Sequence, residues 1–182
     1  NDAGFFFGYG SNQDFADSSR VIAFTSAGGL GLPDRDYYTK DDDKSKDIRA
    51  KYVVHVQKMF ELMGNSADAA RAAAAKVMEI ETALAKASLT RVDKRDPYKL
   101  FHKVDAKGLQ ALTPSFDWVA FQKALGMKPL NSFNVTEPEF MKEFEKQLTT
   151  QKLDDIKTYL QWHLVQNMAP FLSKDFVNEN FG

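Results

Sequence analysis

The sequence contains no cysteine among its 182 residues, which excludes disulfides, thiolate nucleophiles and cysteine-ligated zinc. No apolar run approaches the ~20 residues that a helix needs to cross a bilayer. Neither sign of charge is in excess. Twenty-four basic against 25 acidic side chains leave a formal charge of -1, so there is no electrostatic case for nucleic acid as a partner. Histidine is scarce: only His55, His102 and His163 are present, widely spaced along the chain. None belongs to an H-E-x-x-H, the pattern that sets two imidazoles on one helical face around a metal and a carboxylate beside its bound water.

Other catalytic patterns are missing as well. No G-x-S-x-G presents a serine nucleophile. Gly8-Tyr9-Gly10-Ser11-Asn12 lacks both the glycine register and the lysine of a phosphate loop. Asp41-Asp42-Asp43 lacks the spaced ligands, central glycine and closing glutamate of a calcium loop. It precedes a helical pattern, where negative charge suits the dipole. Glu179-Asn180 resembles the start of a metal-ligand motif only by chance. Each histidine has a structural explanation: His55 sits at the margin of an apolar stripe, His102 in an irregular stretch, and His163 on a stripe with Ile156, Tyr159 and Leu160 as a buried, hydrogen-bonded core residue. Arg91, Lys94, Arg95 and Asp96 read as a solvated charged rim, and Trp118 and Trp162 as core anchors. No catalytic, metal-binding, cofactor-binding or substrate-binding residue is assigned.

What is present is a helical pattern on a globular composition, 43% apolar and 27% charged. Residues 5–9 and 20–25 are aromatic and β-branched and predict two short strands in a small N-terminal β-hairpin. From Lys44 to Met63 apolar residues recur at three and four, and Gly64 supplies a stop. Ser66 caps a second long helix to about Leu89, alanine-rich in its first half, and the pair forms an antiparallel helix hairpin. Short helices are predicted at 105–112 and at 116–125, the latter starting through Pro114-Ser115. Thr136-Glu137-Pro138-Glu139 has capping-box spacing and starts a helix to about Leu148. Another helix carries Leu153 to Met168 and is bent or ended by Pro170, and Ser173 starts one more. The fold class predicted is mainly α: one multi-helix domain over residues 1–182, edged by the hairpin and a Gly-rich turn within residues 1–30.

The most specific string is Gly28-Gly29-Leu30-Gly31-Leu32-Pro33-Asp34-Arg35-Asp36-Tyr37-Tyr38. Physically it is a rigid turn feeding a short helix. The glycines permit close backbone approach, Pro33 fixes φ, Asp34 caps, and the tyrosines anchor with buried rings and polar tips. The string resembles a segment of the neprilysin family of zinc metallopeptidases. So, in family order, do Ser11–Ser18, Asp47–Val56 with Leu62-Met63-Gly64, Ile80–Ala85 with Arg95-Asp96-Pro97, Pro114–Trp118, Tyr159–Leu164 and Ala169–Ser173.

The resemblance implies a portion of a two-lobed zinc endopeptidase that cleaves oligopeptides. This chain would be the smaller lobe, walling the substrate cavity and restricting access to it. Its partners would be the zinc-bearing catalytic lobe of the same polypeptide and an oligopeptide substrate. Zinc would belong to that other lobe, and this chain alone would be inactive. The start without Met, the aromatic run that follows and the apolar end at Phe181 suggest a segment of a longer protein. The first residues show no signal peptide; the resemblance implies an exported parent, and the lack of cysteine, which animal members usually carry, points to a bacterial one. An exposed apolar face is expected, open to self-association. The rival reading is a free-standing helical module that binds peptides or proteins without enzyme activity.

Overall fold

The computed structural model describes residues 5–181; the reading of Asn1–Gly4 and the closing Gly182 lie outside them. Among the described residues are eight α-helices and four strands, so the chain is mainly α. The N-terminal hairpin is present. β1 (Phe7–Gln13) and β2 (Val21–Ala27) run antiparallel, with Phe7 opposite Ala27 and Gln13 opposite Val21.

The sheet is larger than the predicted hairpin. β4 (Phe133–Val135) lies parallel to β2, and β3 (Lys103–Val104) adds antiparallel to β4, giving the order β1-β2-β4-β3. Two- and three-residue strands are too short to show a period of two. They exist because tertiary pairing holds them. β1 also runs through Gly10-Ser11-Asn12, residues of poor strand propensity that read as a turn. Seven paired positions with β2 override that local preference.

Helix α1 (Asp36–Thr39) follows the Gly-rich turn, then α2 (Asp43–Leu62) and α3 (Ala67–Ala87) form the long hairpin. Its caps are those expected: Asp42 accepts from Ser45 N at 3.0 Å, Ser66 Oγ from Ala69 N at 3.4 Å, and Gly64 takes φ 95° between them. α4 (Ala106–Leu112) and α5 (Trp118–Ala124) are short. α5 begins later than predicted, because Asp117 rather than Ser115 caps it, accepting from Ala120 N at 2.8 Å. α6 (Pro138–Thr150) and α7 (Leu153–Met168) complete the bundle, a 3-10 turn at Ala169–Phe171 contains Pro170, and α8 (Lys174–Phe181) follows.

The capping box at α6 does not form. β4 pairing draws Thr136 to the sheet, where its N–H and hydroxyl both donate to Thr25 O at 3.0 and 3.1 Å. Glu137 becomes the N-cap residue without a side-chain cap bond.

Two apolar cores share two helices. One lies between the sheet and α4 to α7, built on Phe7, Leu109, Trp118, Phe133, Phe140 and Phe144. The other joins α2, α3 and α7 through Val56, Met59, Phe60, Ala70, Ala74 and Trp162. The alanine-rich half of α3 serves the second, where fully buried Ala70 and Ala74 allow close helix approach. Its Ile80 and Leu84 serve the first. A change at the middle of α3 therefore reaches both cores.

Candidate functional site

The three histidines stand in three places. His102 is exposed, and its Nδ1 lies 3.1 Å from Val135 O beside the sheet. His55, on α2, is partly buried against Trp162, and its Nδ1 lies 2.9 Å from Glu179 Oε1 on α8, a carboxylate shared with Lys58 Nζ at 3.5 Å. This contact ties α8 to α2, so Glu179 has a packing role. His163 is buried at 4% exposure, as its place on the α7 stripe predicts, but its Nε2 lacks the hydrogen bond expected of it. Among the described residues no group of three or more His, Asp or Glu is placed to hold a metal ion.

The chain's polar core instead gathers around Glu81, which the sequence reading left unassigned. Glu81 is fully buried on α3. Tyr38 Oη donates to its Oε2 at 2.7 Å, and Tyr52 Oη lies 2.8 Å from Oε2 and 2.9 Å from Oε1. His163 Nε2 sits 3.0 Å from Oε1, but poorly aligned for an N–H···O bond. Trp162 Nε1 donates to Tyr52 Oη at 2.8 Å, and the backbone N–H of Leu32 donates to Tyr38 Oη at 2.8 Å. Four elements thus converge on one carboxylate: α1 through Tyr38, α2 through Tyr52, α3 itself and α7 through His163. Burial, reinforced by the Glu81 charge, raises the Tyr38 and Tyr52 hydroxyl pKa values well above the ordinary 10.0. Both phenols therefore stay protonated and remain donors.

This network explains the Gly-rich string. A Cβ on Gly31 would sit 1.9 Å from Tyr52 Oη, so only glycine lets the strap cross that hydroxyl. Gly29 has φ +68°, and its added Cβ would sit 2.1 Å from Tyr159 Oη. Tyr159 Oη lies 2.6 Å from Phe5 O and 2.8 Å from Gly29 O, holding the strap to α7. Asp34 Oδ1 accepts from Asp36 N at 2.8 Å, which starts α1 as expected. Arg35 Nη1 donates to Ser88 O at 2.9 Å at the C-terminal end of α3, where a cation suits the dipole.

The expected rim of charge is exposed at Arg91, Lys94 and Arg95, and it also carries ion pairs that the sequence did not foretell. Arg91 Nη1 lies 3.4 Å from Asp34 Oδ2, and Lys94 Nζ lies 3.2 Å from Glu137 Oε1. Glu137 is 5% exposed and also accepts from Leu89 N at 2.5 Å. At the opposite end of the sheet, buried Asp14 pairs with Lys103 and accepts from Ala16 N at 2.9 Å. The hydrogen bond from Lys103 holds the Asp14 carboxyl below its ordinary pKa of 3.8.

Glu81 is fully buried, and its hydrogen bonds order the strap. Glu81 was nonetheless visible in the sequence, since it follows Val77 by four and precedes Leu84 by three on the apolar stripe. An acid at such a position needs buried donors. Trp118 and Trp162 are buried core anchors as read, donating from Nε1 to Thr113 Oγ1 and Tyr52 Oη. The outer side of α7, the turn after it and α8 expose Leu164, Met168, Phe171, Leu172 and Phe181.

The sequence profile for the N-terminal part of peptidase family M13 matches residues 1–182. Endothelin-converting enzyme 1 of Cavia porcellus is 30% identical over 179 residues, which cover 94% of this chain and 23% of the relative. Neprilysin-3 of Drosophila melanogaster is 27% identical over 181 residues, 93% of this chain and 23% of the relative. Among solved structures, the Mycobacterium tuberculosis zinc metalloprotease Zmp1 in complex with inhibitor is 29% identical with a TM-score of 0.92, over 99% of this chain and 28% of that one. PepO from Lactobacillus rhamnosis HN001, at 16% identity and a TM-score of 0.79, shares the fold. The chain spans about a quarter of the length of the relatives it matches.

Proposed function

The chain belongs to peptidase family M13, and from that premise we propose that it is the non-catalytic, smaller-lobe portion of a zinc metalloendopeptidase. It walls the cavity in which oligopeptides are cleaved and restricts what enters. Zinc, and the residues that hold it, belong to the remainder of the polypeptide, which is this chain's principal partner. The observation that carries the reading is the match of the whole chain to about a quarter of a zinc metalloprotease, at a TM-score of 0.92.

The physical character of the chain supports a wall. The strap and α1, α2, α3 and α7 are locked together by Glu81, Tyr38, Tyr52 and Tyr159. A rigid surface excludes large substrates and limits water around a reacting bond. The apolar side chains exposed at the end of α7 and on α8 are the surface offered to the catalytic lobe. The family resemblance supports a parent that is exported, periplasmic or extracellular. Among the described residues no helix is long and apolar enough to cross a membrane.

The test uses the longer polypeptide that contains this sequence, a quenched fluorogenic oligopeptide and a folded protein bearing the same cleavable segment in an exposed loop. The reading expects the oligopeptide to be cleaved and the folded protein to be spared. Loosening the wall by Tyr159→Phe raises cleavage of the folded protein relative to the oligopeptide. Equal cleavage of both substrates by the unaltered polypeptide refutes the access-restricting role.

A further inference from the structure

The hydrogen bonds around Glu81 run in one direction. Trp162 Nε1 and Leu32 N can only donate, and they donate to Tyr52 Oη and Tyr38 Oη at 2.8 Å each. Each phenol is thereby turned to give its own hydrogen to Glu81, Tyr38 to Oε2 at 2.7 Å and Tyr52 to Oε2 at 2.8 Å. A proton of the carboxyl's own has space only at Oε1, against His163 Nε2. Imidazole is the stronger base, so a proton shared by the two belongs to His163.

The surroundings leave His163 as the countercharge. Its Nε2 lies 3.0 Å from Oε1, and both side chains are buried. An ionised carboxylate in such a place needs an opposite charge as well as donors. Among the described residues no lysine or arginine pairs with Glu81. His55, on α2, packs against Trp162 and is paired instead with Glu179. The remaining titratable groups facing the pair are phenols: Tyr38 on α1, Tyr52 on α2 and Tyr159 on α7. Burial pushes all three hydroxyls well above their ordinary value of 10.0, so none changes charge where histidine titrates.

The poor alignment of Nε2 points the same way. A neutral imidazole stabilises an anion through a directed N–H···O bond, which this contact lacks. Attraction between whole charges does not depend on that direction.

We infer that His163 is held as an imidazolium and forms, with Glu81, a proton-operated lock on the strap. The charged ring keeps Glu81 ionised, and ionised Glu81 holds both phenols where Tyr38 meets the Leu32 N–H and Tyr52 lies under Gly31. Loss of the proton leaves the carboxylate buried without a countercharge, and the strap's attachment weakens. An unfolded histidine is charged only below about pH 6.5. The lock's contribution is therefore whole below that point and is lost as pH rises through the titration of the folded ring. The inference does not rest on the proposed function, since every group in it lies inside this chain.

The experiment records ring-nitrogen NMR spectra of the 182-residue chain carrying isotope-labelled histidine, folded and in urea, over a series of pH values. His163 is assigned through its contact with the Tyr159 ring, 4.5 Å away. Its two nitrogens are expected to keep the matched signals of an imidazolium at pH values where the histidines of the urea-unfolded chain have lost theirs. Protection of the Leu32 amide reports the strap, because that N–H ends on Tyr38 Oη. From about pH 6 to pH 9 protection falls about tenfold or more in the parent and in His55→Gln, and stays level in His163→Gln. Three results overturn the inference: a neutral His163 ring at the pH where the unfolded histidines are half charged, level Leu32 protection in the parent, or the same fall in His163→Gln. The ring signals are read on the unaltered chain, so they decide the matter even where His163→Gln does not fold.

Discussion

Replacing Glu81 with alanine removes the acceptor on which α1, α2 and α7 converge. Tyr38 and Tyr52 hydroxyls lose the partner that now lies within 2.9 Å of each, in a site without water access. An unsatisfied buried donor costs about 1–3 kcal/mol, and breaking a buried charged cluster by removing one member about 3–5 kcal/mol. Part of the loss is offset because alanine carries no buried charge. A destabilisation of about 4 kcal/mol follows, a large share of the ~5–15 kcal/mol that holds an ordinary domain together. Glu81→Gln retains an oxygen that both phenols can reach and costs roughly half as much.

Urea unfolding read by Trp162 fluorescence measures both variants, since Trp162 donates to Tyr52 and sits in the affected core. Coupling is measured with Tyr38→Phe. That change orphans the Leu32 N–H as well, so the double variant loses less than the sum of the singles. Glu81→Ala within about 1 kcal/mol of the parent, or strict additivity with Tyr38→Phe, refutes the network as the strap's anchor.

Three further outcomes follow from the same geometry. Gly31→Ala lowers stability by about 1–3 kcal/mol through overpacking against Tyr52 Oη, and Tyr52→Phe on the same chain restores part of it; equal thermal midpoints for Gly31→Ala and the parent contradict the close approach. Glu137→Ala leaves Leu89 N–H and Lys94 without their acceptor and loosens the end of α3, seen as faster amide exchange at Leu89; unchanged exchange there rules the tie out. Asp14 is held below its ordinary pKa of 3.8 by Lys103, so its contribution is present above that value and is lost as pH falls through the lower, folded value. Thermal midpoints taken from about pH 6 to pH 2 therefore drop less steeply for Asp14→Asn than for the parent, and parallel curves count against the pairing.

The long helices were legible because each meets two independent requirements, an apolar stripe at helical spacing and a stop or cap at its ends. Ser66, Gly64 and Asp42 act locally, so their roles could be read from neighbours alone. β3 and β4 were not legible: they are too short to show alternation, and they form only once α1 to α5 bring residues 103–104 and 133–135 beside β2. The same distant pairing recruits Thr136 and cancels its reading as a helix cap. The strap's importance was visible in its glycines and tyrosines, and Glu81 stood out as an acid on an apolar stripe, but the link between them was not. Glu81 is sequence-distant from Tyr38 and Tyr52, and only the fold shows that both hydroxyls reach it. Arg91 and Lys94 are exposed, as read, but nothing near them in sequence foretells Asp34 and Glu137 as partners.

The most direct measurement compares this chain with the longer polypeptide that contains it, each given zinc and one quenched fluorogenic oligopeptide. Chelator-sensitive turnover by the longer polypeptide and none by the 182-residue chain is the predicted result. Chelator-sensitive turnover that copurifies with the 182-residue chain itself contradicts the account.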